Sequence, residues 1–158
     1  MKKILLSFKP YWHEKIKSGE KIFEYRKRFC DEPVMAYMYV SRPVMAVTGI
    51  IMLDRRIPLE DWKKRYKDDK EIYDRICDSA ERNTYAMPIL KFIDTNEIPL
   101  EIIKKEVHGF AAPQMYYNLD ADSELLRFIE RNLTENNYVI ENQFDKDLRD
   151  EVCKNISG

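Results

Sequence analysis

Short apolar runs alternate with helical stripes along this chain, which predicts strands interrupted by helices. Lys2 to Lys9 has the apolar content of a strand, and Pro10 then begins a helix at a position where its missing N–H costs nothing. Trp12 and Ile16 lie one turn apart and predict the buried stripe of that helix. Gly19 suits the left-handed residue that ends it.

The segment from Lys21 to Arg28 alternates in a way that predicts a second strand with two different faces. One face carries Phe23 and Tyr25, which we expect in the core. The other face carries Glu24, Arg26 and Arg28. We expect this charged face to point outward, into a groove or into water.

The middle of the chain adds further strands and helices. The predicted strands are Val34 to Val40, Val44 to Leu53 and Thr84 to Ile93. The predicted helical regions are one that begins at Pro58, one from Pro99 to about Val107 and one from Asp122 to Leu133. Gly49 indicates a bulge or a bend, and Pro88 favours an edge position or a bulge.

This order of elements predicts an α+β fold, a small mixed β-barrel flanked by helices, and 158 residues suggest one domain. We place that domain at residues 1–133. Residues 134–158 are acidic and weakly patterned, and we expect a loosely attached C-terminal tail or one extra short element.

The cysteines and histidines argue against metal and disulfide chemistry. Cys30, Cys77 and Cys153 are far apart, and with His13 and His108 they give no zinc-ligand spacing. We expect no metal, no cofactor and no disulfide, and hence a cytoplasmic protein. The longest apolar runs are far shorter than a membrane span, so no membrane association is expected.

The charged residues are unevenly distributed along the chain. The net charge is −1 overall, but residues 1–29 hold nine Lys or Arg and three Glu, a net charge of +6. Residues 120–158 carry a net charge of −5. The positive charge therefore lies in one short stretch, which is either a solvated surface or a binding surface for an anion.

That stretch could bring Lys9, Lys21, Glu24 and Arg26 into one cleft, because a helix would pack between the two strands that carry them. Forked guanidinium donors and compact ammonium charges suit a nucleobase beside a phosphate. A lysine beside other cations also has a lowered pKa and can act as a base. The competing interpretation is a salt-bridge ladder on the strand surface.

Three segments carry a resemblance to a known family: LLSFKPYWHEKIKSGEKIFEYRKRF, VMAYMYVSRPVMAVTGII and PQMYYNL. They resemble the ASCH domain family, which has a PUA-like fold, over roughly residues 3–130. The positions that match the family pattern are Ser7, Lys9, Gly19, Lys21, Glu24, Arg26, Ser41, Pro43, Gly49, Pro113, Gln114 and Leu119.

The resemblance implies a small PUA-like β-barrel with a cleft, in a superfamily whose members bind RNA. Some ASCH members are similar to hydrolases that deacetylate acetylcytidine with a Lys, a Thr and a Glu, and others are reported as ribonucleases. The hydrolase Lys falls on Lys21, but Glu24 stands where those enzymes have Thr. A carboxylate differs from a hydroxyl in charge and geometry, so this position departs from the hydrolase pattern.

We therefore expect a nucleic-acid-binding domain for RNA or a modified nucleotide, with a role in RNA processing or transcription regulation. The alternatives are a hydrolase on RNA or a modified nucleoside, with Lys21 and Glu24 as catalytic residues, and a protein-interaction domain. The expected ligand-binding residues are Ser7, Lys9, Lys21, Glu24, Arg26, Arg28, Ser41 and Gln114.

Expectations also follow for the two histidines and for the late aromatic residues. We expect His13 to face solvent or to cap its helix, and His108 to favour the carbonyl dipole at a helix end. Residues 109–119 are expected to form an aromatic-rich loop. Its Tyr116 and Tyr117 either stack on a base or pack against the barrel.

Overall fold

A computed structural model describes residues 1–144 and 147–156, and these described residues form five helices and nine strands. The helices are α1 (Pro10–Lys17), α2 (Leu59–Arg65), α3 (Lys70–Ala80), α4 (Leu100–Glu106) and α5 (Glu124–Asn132). The strands are β1 (Lys2–Phe8), β2 (Phe23–Arg26), β3 (Val34–Val40), β4 (Ala46–Leu53), β5 (Ile57–Pro58), β6 (Tyr85–Thr95), β7 (Ile98–Pro99), β8 (Tyr116–Asn118) and β9 (Glu135–Glu141).

The strands form one mixed sheet that curls into a half-barrel, in the order β2-β6-β4-β3-β1-β8. The short strands β5 and β9 pair with β6, and β7 pairs with β4. The strands β1 and β3 are parallel, and α1 and β2 lie between them in the chain. The α+β class and the barrel-like sheet with helices around it are as the sequence predicted.

The predicted bend at Gly49 lies in an irregular part of β4. The β3–β4 register shifts there, because Tyr37 pairs with Ile50 while Tyr39 pairs with Val47. Gly49 has a φ of +92°, and a Cβ at this position would lie 3.0 Å from the Phe92 ring. Glycine is therefore required both for its backbone conformation and for the close approach of β6.

The strand with Pro88 is central and not an edge. Pro88 lies opposite Phe23 of β2, and the same strand pairs with β4 further along. The β4–β6 register shifts between the pairs Met52–Lys91 and Leu53–Ile89, so a bulge lies at Leu90, two residues after the proline. The bulge alternative is confirmed, and the edge alternative is wrong.

Three clusters of buried apolar side chains hold the elements together. One joins the sheet to α4 and α5, a second fills the half-barrel beneath α1, and a third joins β2 to α2 and α3. The helices α2, α3, α4 and α5 agree with the predicted helical regions within a few residues.

Residues 135–144 and 147–156 are part of the fold, so the alternative of an extra short element agrees with the structure and the alternative of a loosely attached tail does not. The strand β9 pairs with β6 over residues 135–141. Val152 and Cys153 are 1% and 2% exposed and belong to the third cluster. Burial of these side chains removes apolar surface from water, which holds the segment to the domain.

Among residues 1–144 and 147–156, no helix is both long enough and apolar enough to cross a membrane.

Candidate functional site

A cavity of about 360 Å³ opens where β1, β2 and the start of α1 meet. We call it the basic cavity. Its lining residues are Ser7, Phe8, Lys9, Trp12, Tyr25, Arg26, Lys27, Ser41, Asn83 and Gln114. The lining has three cationic side chains and, among the described residues, no acidic one. Three aromatic side chains and four hydroxyl or amide side chains complete the wall.

The backbone brings distant segments to this cavity. The amide of Ser41 donates to the Phe8 carbonyl at 2.9 Å, which joins the end of β3 to the end of β1. The amide of Ser7 donates to the Met115 carbonyl at 3.2 Å and places the Gln114 loop beside β1. The amide of Thr84 donates to the Arg26 carbonyl at 3.1 Å and brings Asn83 next to β2.

Five of the residues that the sequence singled out line the basic cavity together. They are Ser7, Lys9, Arg26, Ser41 and Gln114. Three others do not line it: Lys21 and Glu24 are buried behind the wall, and Arg28 is exposed to solvent elsewhere. The lining and the buried residues share one neighbourhood, but Lys21 and Glu24 support the wall and do not face the cavity.

Five lining residues were not proposed from the sequence. They are Phe8, Trp12, Tyr25, Lys27 and Asn83. The position of Lys27 directly after Arg26 was a usable signal for a second cation. Asn83 had no such signal, because only the pairing of β6 with β2 brings it to the site.

A buried ionic network supports Arg26. The Glu24 carboxylate is fully buried, and its Oε2 accepts from Arg26 Nη2 at 2.8 Å and from Nε at 3.3 Å. Its Oε1 lies 3.2 Å from the ammonium of Lys21. Arg26 Nη2 also donates to the Ser7 carbonyl at 3.0 Å, and its guanidinium lies 5.5 Å from the centre of the Phe8 ring. These contacts hold the guanidinium in one orientation at the cavity wall.

Burial and charge act in opposite directions on this network. Burial favours the neutral form of Glu24, but Lys21 and Arg26 outweigh it and hold the pKa of that carboxyl below its usual value. Burial lowers the pKa of the Lys21 ammonium, while Glu24 works to raise it. Glu24 is therefore ionised at neutral pH and counterbalances the two cations.

The Lys21 side chain is fully buried. Its ammonium lies 4.7 Å from the centre of the Trp12 ring and 5.1 Å from that of Tyr25, and both rings line the basic cavity. It donates to the backbone carbonyl of Asn155 at 2.6 Å. Lys21 therefore contacts two residues of the cavity wall without lining the cavity itself.

The outward direction predicted for Glu24 is wrong. The first three residues of β2 are all buried, and Phe23 and Tyr25 pack in the third cluster as predicted. The two faces of β2 are therefore both buried: one packs in the third cluster, and the other holds the ionic network. Full burial of Glu24 is tolerated because two cations and the Tyr25 amide satisfy its oxygens.

The buried face of α1 contains Ile16, as the sequence predicted, but has His13 where Trp12 was expected. His13 and Ile16 are its buried residues, while Trp12 is half-buried at the cavity. His13 is 7% exposed and packs edge-on against Phe92 at 5.8 Å, so the expected solvent-facing role is wrong. Burial, assisted by Lys17, lowers the pKa of His13, which keeps its imidazole neutral.

The late aromatic segment contains a short strand. Residues 116–118 form β8 and pair with β1, where a loop was expected. Tyr116 packs against Phe29 at 5.5 Å, and the hydroxyl of Tyr117 donates to the Ala111 carbonyl at 2.9 Å. Neither tyrosine lines the basic cavity.

Comparison with known proteins supports the fold. No protein family and no curated protein matches the sequence. The crystal structure of the ASCH protein from Zymomonas mobilis is similar, with a TM-score of 0.60 and 21% identity over 84% of this chain and 96% of that chain. A mutant of the same protein gives a TM-score of 0.64 at 20% identity over the same shares of the two chains. The fold of this chain is therefore that of the ASCH domain proteins.

Proposed function

We propose that this protein binds RNA or a nucleotide in the basic cavity. The observation that carries the proposal is the composition of the wall: Lys9, Arg26 and Lys27 beside three aromatic rings, with no carboxylate among the described lining residues. Cations attract the phosphate backbone, and aromatic faces stack on bases of any kind. Within this proposal we keep the expected cytoplasmic role in RNA processing or transcription regulation.

The ASCH fold supports the proposal, because the family resemblance of the sequence also implies RNA binding. The burial of Lys21 and Glu24 in the ionic network favours ligand binding over catalysis. A catalytic lysine must reach the reacting atoms, but the Lys21 side chain is 0% exposed and its ammonium is held by Glu24 and Asn155. We assign Lys21 and Glu24 to the positioning of Arg26.

The proposal is tested with a fluorescent single-stranded oligoribonucleotide and a salt series. Replacement of Lys9 and Lys27 by Gln is expected to weaken binding and to lower the slope of log K against log salt by about 0.7 for each lost phosphate contact. Lys64→Gln, which removes the same charge from an exposed position on α2, is the matched control.

Equal effects of the cavity variants and of Lys64→Gln would contradict the cavity assignment. Absence of any salt-dependent binding would contradict the function itself. The same incubations, repeated with acetylated cytidine and analysed for product, test the hydrolase alternative directly.

A further inference from the structure

The strand β9 is a long and exposed edge of the sheet. It pairs with β6 on one side, and no other strand among the described residues pairs with it. Six of its seven residues are exposed. The strands at the two ends of the main sheet order differ from it, because β2 is mostly buried and β8 has only three residues. The N–H and C=O groups along such an edge can pair with a further strand.

The sequence of β9 lacks the features that usually prevent pairing at an edge. Natural edge strands are short or irregular, or they carry Lys or Pro. β9 runs for seven residues and contains no Lys, Arg or Pro. Its register with β6 is irregular toward the Glu135 end, but Val139, Ile140 and Glu141 pair with three consecutive residues of β6. This part of β9 is therefore a regular template for another strand.

The centre of β9 is apolar and its two ends are acidic. Tyr138 and Val139 are 42% and 44% exposed, and neighbouring residues of a strand point to opposite faces. The Tyr138 hydroxyl donates to the Lys17 carbonyl at 2.6 Å, which fixes its ring beside the end of α1. Glu135 and Glu141 begin and end the strand. A docking strand must therefore cover the apolar centre and keep carboxylates away from both ends.

A second copy of β9 meets these conditions in one antiparallel register. In a two-fold symmetric pair, residues equally far from the central residue lie opposite each other. With Val139 at the centre, Tyr138 lies opposite Ile140 of the second copy. Glu141 then lies opposite Asn137, and Glu135 lies opposite Gln143. Apolar side chains therefore face apolar ones, and each carboxylate faces an amide.

The neighbouring registers are less favourable. With Tyr138 at the centre, Glu135 lies opposite Glu141 of the second copy, and like charges directly opposite each other are destabilising. With Asn137 or Ile140 at the centre, a carboxylate lies opposite Val139. The pattern of charge and apolar surface along β9 thus favours pairing about Val139.

We propose that this chain forms a two-fold symmetric dimer by antiparallel pairing of β9 with β9 of a second copy, centred on Val139. The two sheets then join into one continuous sheet. No residue that lines the basic cavity belongs to β9. Dimerisation and the proposed binding of RNA can therefore succeed or fail independently of each other.

Disulfide cross-linking tests the register. Directly opposed residues of antiparallel strands have Cα atoms about 4.5–5.5 Å apart, a separation that a disulfide can span. Under mild oxidation, Val139→Cys is expected to give a covalent dimer on non-reducing electrophoresis. Asn137→Cys, on the same face two residues away, is the matched control and should give less than about a tenth as much. The parent protein, with its three free cysteines, measures the background.

Analytical ultracentrifugation tests the association without a cross-link. The parent protein is measured from about 1 to about 100 µM, the range in which a small interface becomes occupied. Val139→Lys places two ammonium groups opposite each other and should weaken dimerisation at least tenfold, by about that factor or more. Because Val139 is exposed in the single chain, circular dichroism of this variant should be unchanged. Ile102→Lys, at an exposed position on α4, is the control.

Each outcome bears on the dimer. A parent protein that remains monomeric at the highest concentration overturns the proposal. A dimer that Val139→Lys leaves intact uses another surface and also overturns it, as does equal cross-linking of Asn137→Cys and Val139→Cys. A concentration-dependent dimer that Val139→Lys weakens and Ile102→Lys does not, together with selective cross-linking at position 139, supports it.

Discussion

Glu24 shows most clearly how one residue departs from a pattern-based prediction. Its alternation with Tyr25 was read correctly, but its side chain is fully buried. Removal of a carboxylate from water costs several kcal/mol, and the cost is met here by contacts to Lys21 and Arg26. The sequence contains these partners at spacings of three and two, but spacing alone does not show that no water reaches them.

The negative charge of Glu24 is expected to stabilise the folded protein. Glu24→Gln leaves Lys21 buried without its counter-ion, so we expect the free energy of unfolding to fall by about 3–5 kcal/mol. Urea unfolding measures this change. Glu32→Gln, at an exposed position, is the control and is expected to stay within about 0.5 kcal/mol of the parent. Similar small effects of both variants would contradict the structural role given to the network.

Among the elements, the C-terminal segment, residues 147–156, differs most from expectation. Its Cys153 amide donates to the Tyr25 hydroxyl at 2.9 Å, and its Asn155 carbonyl accepts from Lys21. Arg75 of α3 donates to the Val152 carbonyl at 2.9 Å. The segment therefore covers the buried network by contacts to both Tyr25 and Lys21.

A sequence signal for this attachment was present. Apolar residues recur every four positions at Phe144, Leu148, Val152 and Ile156, and all four pack in the third cluster. The acidic residues between them lower the mean hydropathy of the segment, which favoured the prediction of a solvated tail. Such a stripe is evidence of burial even where net charge suggests a solvated tail.

A prediction follows for Val152. Val152→Ala is expected to lower the free energy of unfolding by about 2 kcal/mol, because two buried methyl groups and their packing are lost. Lys154→Ala, an exposed neighbour, should change it by less than about 0.5 kcal/mol. Thermal unfolding of both variants measures the difference, and a stable Val152→Ala protein would show that the segment adds little.

At the scale of the whole molecule, the half-barrel joins parts that are distant in the chain. The strand β6 pairs with β2, β4, β5 and β9, so it connects the N-terminal site with the C-terminal third. The basic cavity exists because β1, β3 and β2 end near one another and the Asn83 and Gln114 loops close its rim. We expect these parts to be stable only together.

Unfolding should therefore be one cooperative transition. The two tryptophans report on different regions, since Trp12 lies at the cavity and Trp62 lies in the third cluster. Urea curves from proteins with a single tryptophan, Trp12→Phe and Trp62→Phe, should each coincide with the curve from far-ultraviolet circular dichroism of the same protein. A separate earlier transition for either probe would show that its region unfolds independently.

The sequence by itself determined most of the elements, the α+β class, the bend at Gly49 and the neighbourhood of the site. Each of these depends on local chemistry: periodicity, the φ angles open to glycine and the end of a strand marked by Pro10. Only the tertiary structure decided which charges are buried, that His13 faces inward and that the Thr84–Arg26 hydrogen bond brings Asn83 to the cavity. Burial is a property of everything packed around a residue, and those neighbours are brought together by pairing between distant strands.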